Sequence, residues 1–348
     1  LNIQKLTPEF ESKYQSFLQN QPRPFPLFFY SNEYRKTLKA TLECEDWYFL
    51  AINDEGEILG ALPSFLFRNK RYGAVLNSLP FFGSHGGVLT LPGMDSIVIS
   101  KSLINAALSL AEAEKVVSYT VISAPFYPNS NINEGVIDFS YTTDRIGQWT
   151  PLDGHIEAME NIHYKTRNAI RKGAKSGFTL TCEGTDDCWN FLVDTHTSNM
   201  SGLGAVARPR RFFEAVRAHI EEGSGYKLWV ARLNNKPVAA LLLFYFNETV
   251  EYFTPVVVEE YRSLQPLSFI IFEAMKDAEK NGYRWFNWGG TGKQQSSLYR
   301  FKSRWGAQDI GYRYYTKIFD PQLLETPAEV LLEEYPYFFV RPFNKIVS

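Results

Sequence analysis

A Gly-rich turn between an aromatic strand and a short basic helix gathers groups that can meet a substrate. The run Tyr283-Arg-Trp-Phe-Asn-Trp-Gly-Gly-Thr-Gly-Lys-Gln-Gln-Ser-Ser-Leu-Tyr-Arg-Phe-Lys-Ser-Arg-Trp-Gly306 reads as a strand, a turn containing Gly289, Gly290 and Gly292, and a helix carrying Tyr299, Lys302 and Arg304. Glycines there can take positive φ or let a ligand come close to the backbone, and the free N–H groups of a helix start attract anions. The spacing predicts a substrate-binding turn to which Asn287, Gly289, Gly290, Thr291 and Arg304 contribute. The alternative pattern is an ordinary strand-to-helix turn, with Leu298, Phe301 and Trp305 at helical spacing forming a buried face. A Walker A loop is excluded, because Asn287 stands where its first Gly is required and Gln294 follows Lys293 in place of Ser or Thr. A Rossmann fingerprint fails as well.

Two further residue types invite chemistry. In Val250-Glu-Tyr-Phe-Thr-Pro-Val-Val257, alternation puts Glu251 on the face opposite Tyr252, where it can act as a base through water or simply face solvent. Pro255 cannot donate to a ladder and so predicts an edge or a bulge. His85 lies in Phe81-Phe-Gly-Ser-His-Gly-Gly87, and glycines on both sides suit a loop that approaches a ligand. No Ser/His/Asp or Cys/His arrangement stands out, so the sequence suggests direct attack by a substrate amine rather than a covalent acyl-enzyme. Orientation of two bound reactants supplies roughly 7–11 kcal/mol of barrier reduction, and a general base about 10²–10⁴ in rate. An enzyme without a conspicuous base is therefore reasonable.

Composition narrows the setting. The 36 Lys and Arg against 38 Asp and Glu give a net charge of −2, which offers no general attraction to DNA or anionic lipid. Any anion must be met by a local patch. Cys44, Cys182 and Cys188 are too few and scattered for a disulfide framework, and no Cys/His spacing suggests a metal. With no apolar signal-like core in the first ten residues and no apolar run of bilayer-spanning length, the expectation is a cytoplasmic protein without an integral membrane segment. Contact with the inner face of the membrane is kept open by the aromatic and basic segment 335–345. Its prolines at 336 and 342 break any continuous amphipathic helix and favour instead a tail packed across the second half.

The elements that position these residues occur twice. Residues 47–62 and 227–241 align with one gap as strand, tight polar turn, strand, with turns at Asp54-Glu-Gly56 and Asn234-Asn235. Each hairpin leads through further strand pattern to a helix and a strand: residues 95–115 and 116–122 in the first half, 265–281 and 284–288 in the second. The correspondence of Glu57 with Lys236 predicts two α/β units with mixed sheets, at 1–154 and 178–348. A connecting helix at 157–175 carries Lys165, Arg167, Arg171, Lys172 and Lys175, and Gly173 and Gly177 mark its end. Lys165, Arg167 and Arg171 are the candidate phosphate contacts; a solvated charged face is the plainer alternative.

Phe286-Asn-Trp-Gly-Gly-Thr-Gly, then Leu298-Tyr-Arg-Phe-Lys302 and Trp305-Gly306, resembles the C-terminal signature of Fem-type peptidyltransferases and of GNAT-like N-acyltransferases of cell-surface polysaccharide pathways. Tyr164-Lys-Thr-Arg-Asn-Ala-Ile-Arg-Lys172 is similar to their basic helix. Residues 196–213, with Met200, Gly204 and Phe212-Phe213, are similar to the polysaccharide-associated branch. The resemblance implies tandem duplicated GNAT-like units, with the active site in the second. It gives Lys302 the first catalytic role, orienting a substrate oxygen or stabilising an oxyanion, with Tyr299 able to protonate a leaving group and His196 lining an acceptor pocket or serving as a structural histidine.

The resemblance also implies a co-substrate. Acyl-CoA or another acyl thioester is the expected donor, and an amino-sugar or glycan precursor the acceptor. Arg262-Ser-Leu-Gln-Pro-Leu267 departs from the Gly-rich start that holds the CoA pyrophosphate, since Pro266 removes a donor. Aminoacyl-tRNA, the donor of Fem-type enzymes, ranks second, because the chain is acidic and lacks the long heptad insertion of many tRNA-using members. A glycan-binding module without catalysis is the third reading.

Overall fold

The computed structural model describes residues 1–21, 27–81, 85–124, 138–292 and 295–343. The chain forms two compact units, residues 1–146 together with 310–348, and residues 147–309.

In the first unit, strands Asn2–Lys5, Phe49–Ile52, Ile58–Leu62 and Leu89–Thr90 form an antiparallel sheet in that order. Helix Ser96–Ala113 covers it. Gly60 is needed at the crossing, because a Cβ there would lie 2.4 Å from Ile99 Cγ2. This helix has the length and apolarity of a membrane span. It nevertheless buries Ile99, Leu103, Ile104, Ala107 and Ala111 in a core with Phe49, Leu62, Leu76 and Tyr119, as an amphipathic core helix does. Strands Phe65–Asn69, Gly73–Asn77 and Val116–Ile122 are neighbours in a second sheet, the last two parallel.

The C-terminal boundary differs from the expected one. Strand Gln308–Ile318 pairs antiparallel with Val116–Ile122, from Tyr314 opposite Ile122 to Ile318 opposite Ser118. The tail beyond it also packs on the first unit rather than across the second: Tyr335 Oη donates to Gly73 O at 3.0 Å, and Asn77 Nδ2 donates to Phe339 O at 2.9 Å. Strand pairing and buried aromatics draw residues 310–343 back to the first unit. Residues 344 and 345 of the aromatic segment lie outside the described range.

The second unit is built on an antiparallel meander, Thr179–Cys182, Tyr226–Leu233, Lys236–Phe246 and Thr249–Val257, followed by Trp285–Thr291 and then residues 147–151. The hairpin turn falls where expected, with Asn234 and Asn235 at φ 50° and 64°, the left-handed pair a tight two-residue turn demands. The helical pattern at 265–281 forms helix Pro266–Lys280, whose Ile270, Ile271, Ala274, Met275 and Ala278 join Leu241, Leu243, Phe286, Trp288 and Trp305 in one core. The connecting helix spans Tyr164–Lys175, shorter than the expected 157–175. Gly173, read in the sequence as its fraying end, is buried where this helix crosses the next one: a Cβ would stand 2.7 Å from Gln265 O and 2.8 Å from Phe269 Cβ.

The pairing of Thr249–Val257 with Trp285–Thr291 is parallel and brief. It runs through Thr249/Trp285, Val250/Phe286 and Glu251/Asn287, after which no further pair forms between them. On its other side Thr249–Val257 shifts register against Lys236–Phe246, so that Phe253 is an extra residue between Tyr252 and Thr254. Bulges re-aim side chains and bend a strand, and this one lies just beyond the last parallel pair. Pro255 follows, in keeping with a strand whose ladder is incomplete.

Candidate active site

Where the two parallel strands part, a carboxyl and an ammonium are both buried. Glu251 is 1% exposed and Lys302 3% exposed. Asn287 joins Glu251 to the Gly-rich turn: its Nδ2 donates to Glu251 Oε2 at 2.6 Å, and its Oδ1 accepts from Gly289 N at 2.8 Å. Gly289 turns the chain with φ 70°, a conformation that costs a residue with Cβ dearly. The other carboxyl oxygen, Glu251 Oε1, is buried without a hydrogen-bond partner among the described residues. Desolvation pushes the Glu251 carboxyl up to about 8, against the opposing hydrogen bond from Asn287.

Lys302 is held by the same turn. Its Nζ donates to Thr291 Oγ1 at 2.8 Å, Gly290 O at 3.1 Å and Gly289 O at 3.4 Å. Burial lowers its ammonium to about 8. Just past the helix that carries it, Ser296–Ser303, Trp305 is 1% exposed with its ring 5.6 Å from that of Trp288. Trp288 Nε1 in turn donates to Thr150 Oγ1 at 2.9 Å. The expected apolar face is only partly formed: Trp305 is buried and Phe301 half-buried, but Leu298 is exposed, and Lys302 is the buried residue of the helix.

Beside the helix lies a cleft of about 380 Å³ lined by Lys165, Arg300 and Arg304, with Thr166, Ser268 and Ser297 among its polar walls. None of its lining residues is acidic. Ser268 and Ser297 belong to the first turns of helices Pro266–Lys280 and Ser296–Ser303, neither of which has a side-chain N-cap. Such ends, next to three cations, suit an anion. The sequence signalled Lys165 and Arg304 here, but not Arg300, Ser268 or Ser297; Ser268 lies on a different helix from Ser297 and Arg300, and only folding brings the two helices to one cleft.

Other expected contacts are used elsewhere. Arg167 does not line the cleft; its Nη1 donates to Ile162 O at 2.9 Å and so ties down the segment before its own helix. Arg171 is exposed and lines no part of the cleft. The Tyr299 hydroxyl donates to Asp309 Oδ2 at 2.6 Å and takes no part in the Glu251 and Lys302 network. That bond holds the phenol above its ordinary value, which disfavours ionisation.

Neither candidate histidine lines the cleft. His196 is buried, its Nε2 accepting from Arg208 N at 3.0 Å and its ring edge-on to Phe213. Desolvation, reinforced by the Arg208 charge, depresses it to about 4 and keeps it a neutral acceptor. His85, in the first unit, is fully buried with its ring 4.7 Å from that of Tyr312. Gly87 beside it passes so close to the chain that a Cβ would meet Ala124 N at 2.6 Å, so backbone packing accounts for that glycine. Residues 82–84 of the same loop lie outside the described range.

Residues 161–303 match the acetyltransferase (GNAT) domain family. Among solved structures, FemX superposes with a TM-score of 0.72 at 13% identity, over 93% of this chain and 99% of that one. A tandem GNAT protein from the clavulanic acid biosynthesis pathway gives 0.59 at 12% identity, over 92% and 99%. The C-terminal domain of a putative lysylphosphatidylglycerol synthetase from Agrobacterium fabrum gives 0.58 at 9% identity, over 93% and 96%. No curated protein sequence matches the chain. At these identities the structural likeness is one of fold. Residues 161–303 thus match an acetyltransferase (GNAT) domain, within a chain whose fold is like that of FemX and of a tandem GNAT protein.

Proposed function

We propose that the protein transfers an acyl group from a thioester donor, such as acyl-CoA, to an amino group of a sugar or cell-envelope glycan precursor. The observation that carries this reading is the parting of the strands after Glu251 and Asn287, with a buried, half-unpartnered carboxyl at the point where pairing ends. An amide-bearing donor arm can hydrogen-bond to strand edges left open in this way. The cleft of Lys165, Arg300 and Arg304 then takes the donor's phosphates by side-chain charge, compensating for Pro266, which removes one backbone donor.

In this mechanism the acceptor amine reaches the site as an ammonium ion and gives its proton to Glu251 Oε1. The free amine attacks the thioester carbon, forming the C–N bond, and negative charge develops on the carbonyl oxygen. Lys302 donates to that oxygen in place of its longest bond, the 3.4 Å contact with Gly289 O. Collapse breaks the C–S bond, and the leaving thiolate takes up the remaining proton of the attacking nitrogen, directly or through water. Glu251 returns its proton to solvent. Atoms and charge balance without a metal or an acyl-enzyme.

Purified protein incubated with acyl thioesters and amino-sugar nucleotides should release free thiol, and Lys302→Ala should retain donor binding while losing rate. Absence of thiol release across a broad donor panel, with transfer from charged tRNA instead, favours the second reading, an aminoacyl-tRNA-dependent peptidyltransferase. The cationic cleft suits that donor as well, since its phosphates are also anions.

A further inference from the structure

Gln148 was not suggested by any motif, yet it is fully buried beside the Lys302 site. It stands on the strand Tyr141–Pro151, within the second unit. The direction of each hydrogen bond around it follows from chemistry. Ser303 Oγ donates to Tyr299 O at 2.9 Å within the helix, so its oxygen is left to accept from Gln148 Nε2, also at 2.9 Å. A second bond from Nε2 goes to Tyr299 O at 3.3 Å. Both acceptors fix which end of the carboxamide is nitrogen. Gln148 Oε1 therefore faces Thr291 and accepts from Thr291 Oγ1 at 3.3 Å. With its proton committed there, the Thr291 hydroxyl offers a lone pair to the Lys302 ammonium at 2.8 Å.

We propose that Gln148 is a positioning residue for Lys302, acting through the Thr291 hydroxyl, whose proton it directs away from the ammonium. The inference rests on the acyl-transfer reading for its consequence, since Lys302 is the group that meets the substrate oxygen there. Its physical content is independent of turnover. Without Gln148 the Thr291 hydroxyl has no acceptor there for its proton, and it can donate to a neutral Lys302 amine as well as accept from the ammonium. A hydrogen bond that accepts from a charged group favours the charged form, and losing it disfavours that form.

Other charges must be considered in any titration of Lys302. Glu251 belongs to the neighbouring strand, and Arg300 and Arg304 to the Lys302 helix and its C-cap. Burial is the source of the Lys302 displacement, and because Glu251 changes charge in the same range, about 8, the shifts are compared in protein carrying Glu251→Gln.

The test is an NMR titration of Lys302 in full-length protein with labelled lysine side chains, the signal assigned by its loss in Lys302→Arg. Gln148→Glu, which keeps the shape and adds a nearby negative charge, should raise the Lys302 midpoint by about one pH unit. Gln148→Met and Thr291→Val should each lower it, and the double variant should lower it no further than Thr291→Val alone. Thermal melting accompanies each variant; if Gln148→Met fails to fold, the comparison of Gln148→Glu with Thr291→Val carries the test. An unmoved midpoint in Gln148→Glu, or additive shifts in the double variant, overturns the proposal. If the midpoints move as expected but no variant or wild-type protein transfers acyl groups, the positioning stands and the acyl-transfer reading falls.

Discussion

Asn287 Nδ2 donates to Glu251 Oε2 at 2.6 Å on the last paired rung of two parallel strands. The same Asn side chain accepts from Gly289 N, so one carboxamide ties the carboxyl to the turn that also holds Lys302. A carboxyl buried at an incomplete ladder has one oxygen committed and one available. This asymmetry sets several of the outcomes below.

The pH dependence of transfer should be narrow. Glu251 must be ionised to accept a proton, which gives a limb rising with pH through about 8. Lys302 must be protonated to donate to an oxyanion, which gives a limb falling with pH through about 8. Rates measured from pH 6 to 10 should therefore peak near pH 8. Glu251→Gln should lose the rising limb and about 10²–10⁴ in rate. An unchanged profile in that variant would remove Glu251 from the mechanism.

Stability should respond to Glu251 in the opposite sense to activity. Its folded value, about 8, lies above the ordinary 4.5 of the unfolded chain, so between these values the folded state binds more protons than the unfolded. The contribution of the neutral carboxyl is fully present below about pH 4.5 and is lost as pH rises through 8. Glu251→Gln, which mimics the neutral acid, should melt close to wild type at pH 5 and above it at pH 8.5. Parallel melting curves at both pH values would contradict the burial of this carboxyl.

Much of this architecture was legible in the sequence, and what was not has a common cause. Helix Pro266–Lys280 and strand Val116–Ile122 fall close to the expected segments, because apolar periodicity reports local structure directly. The turn from Asn287 to Thr291 was legible for the same reason: its chemistry is contiguous in the chain. Gln148 was invisible, since its partners Thr291 and Ser303 are some 150 positions away and a lone Gln in a strand has no pattern. Arg167 shows the converse. It sits in a basic run that reads as one patch, yet one member of the run turns inward to a backbone carbonyl while Arg171 faces solvent. Charge pattern gives the helix face only roughly and cannot say which side chain finds an acceptor.

Gly173→Ala should destabilise the second unit. A Cβ there would come within 2.7 Å of Gln265 O and 2.8 Å of Phe269 Cβ, and the first of these is backbone that cannot rotate away. Overpacking of this kind costs about 1–3 kcal/mol, visible as a lowered denaturation midpoint. Since Gln265 also lines the cleft, binding of a phosphate-bearing donor should weaken in the same variant. Wild-type stability would mean that the two helices separate at little cost.

The cleft and the helix that borders it can be separated by two sets of substitutions. Arg300→Gln with Arg304→Gln removes two of three cations lining a space without carboxylates, and Arg300 is solvent-exposed with little packing to lose. The Michaelis constant for a phosphate-bearing substrate should rise, and the remaining affinity should depend less on salt, because screening acts on the charges removed. Arg167→Gln should do the reverse. Its guanidinium holds Ile162 O at 2.9 Å, and a hydrogen bond from a charged donor contributes about 1.5–3 kcal/mol, so the melting temperature should fall while the Michaelis constant stays near wild type. If Arg167→Gln weakened substrate binding without a change in melting, the phosphates would lie along the outer face of helix Tyr164–Lys175 and the cleft assignment would be wrong.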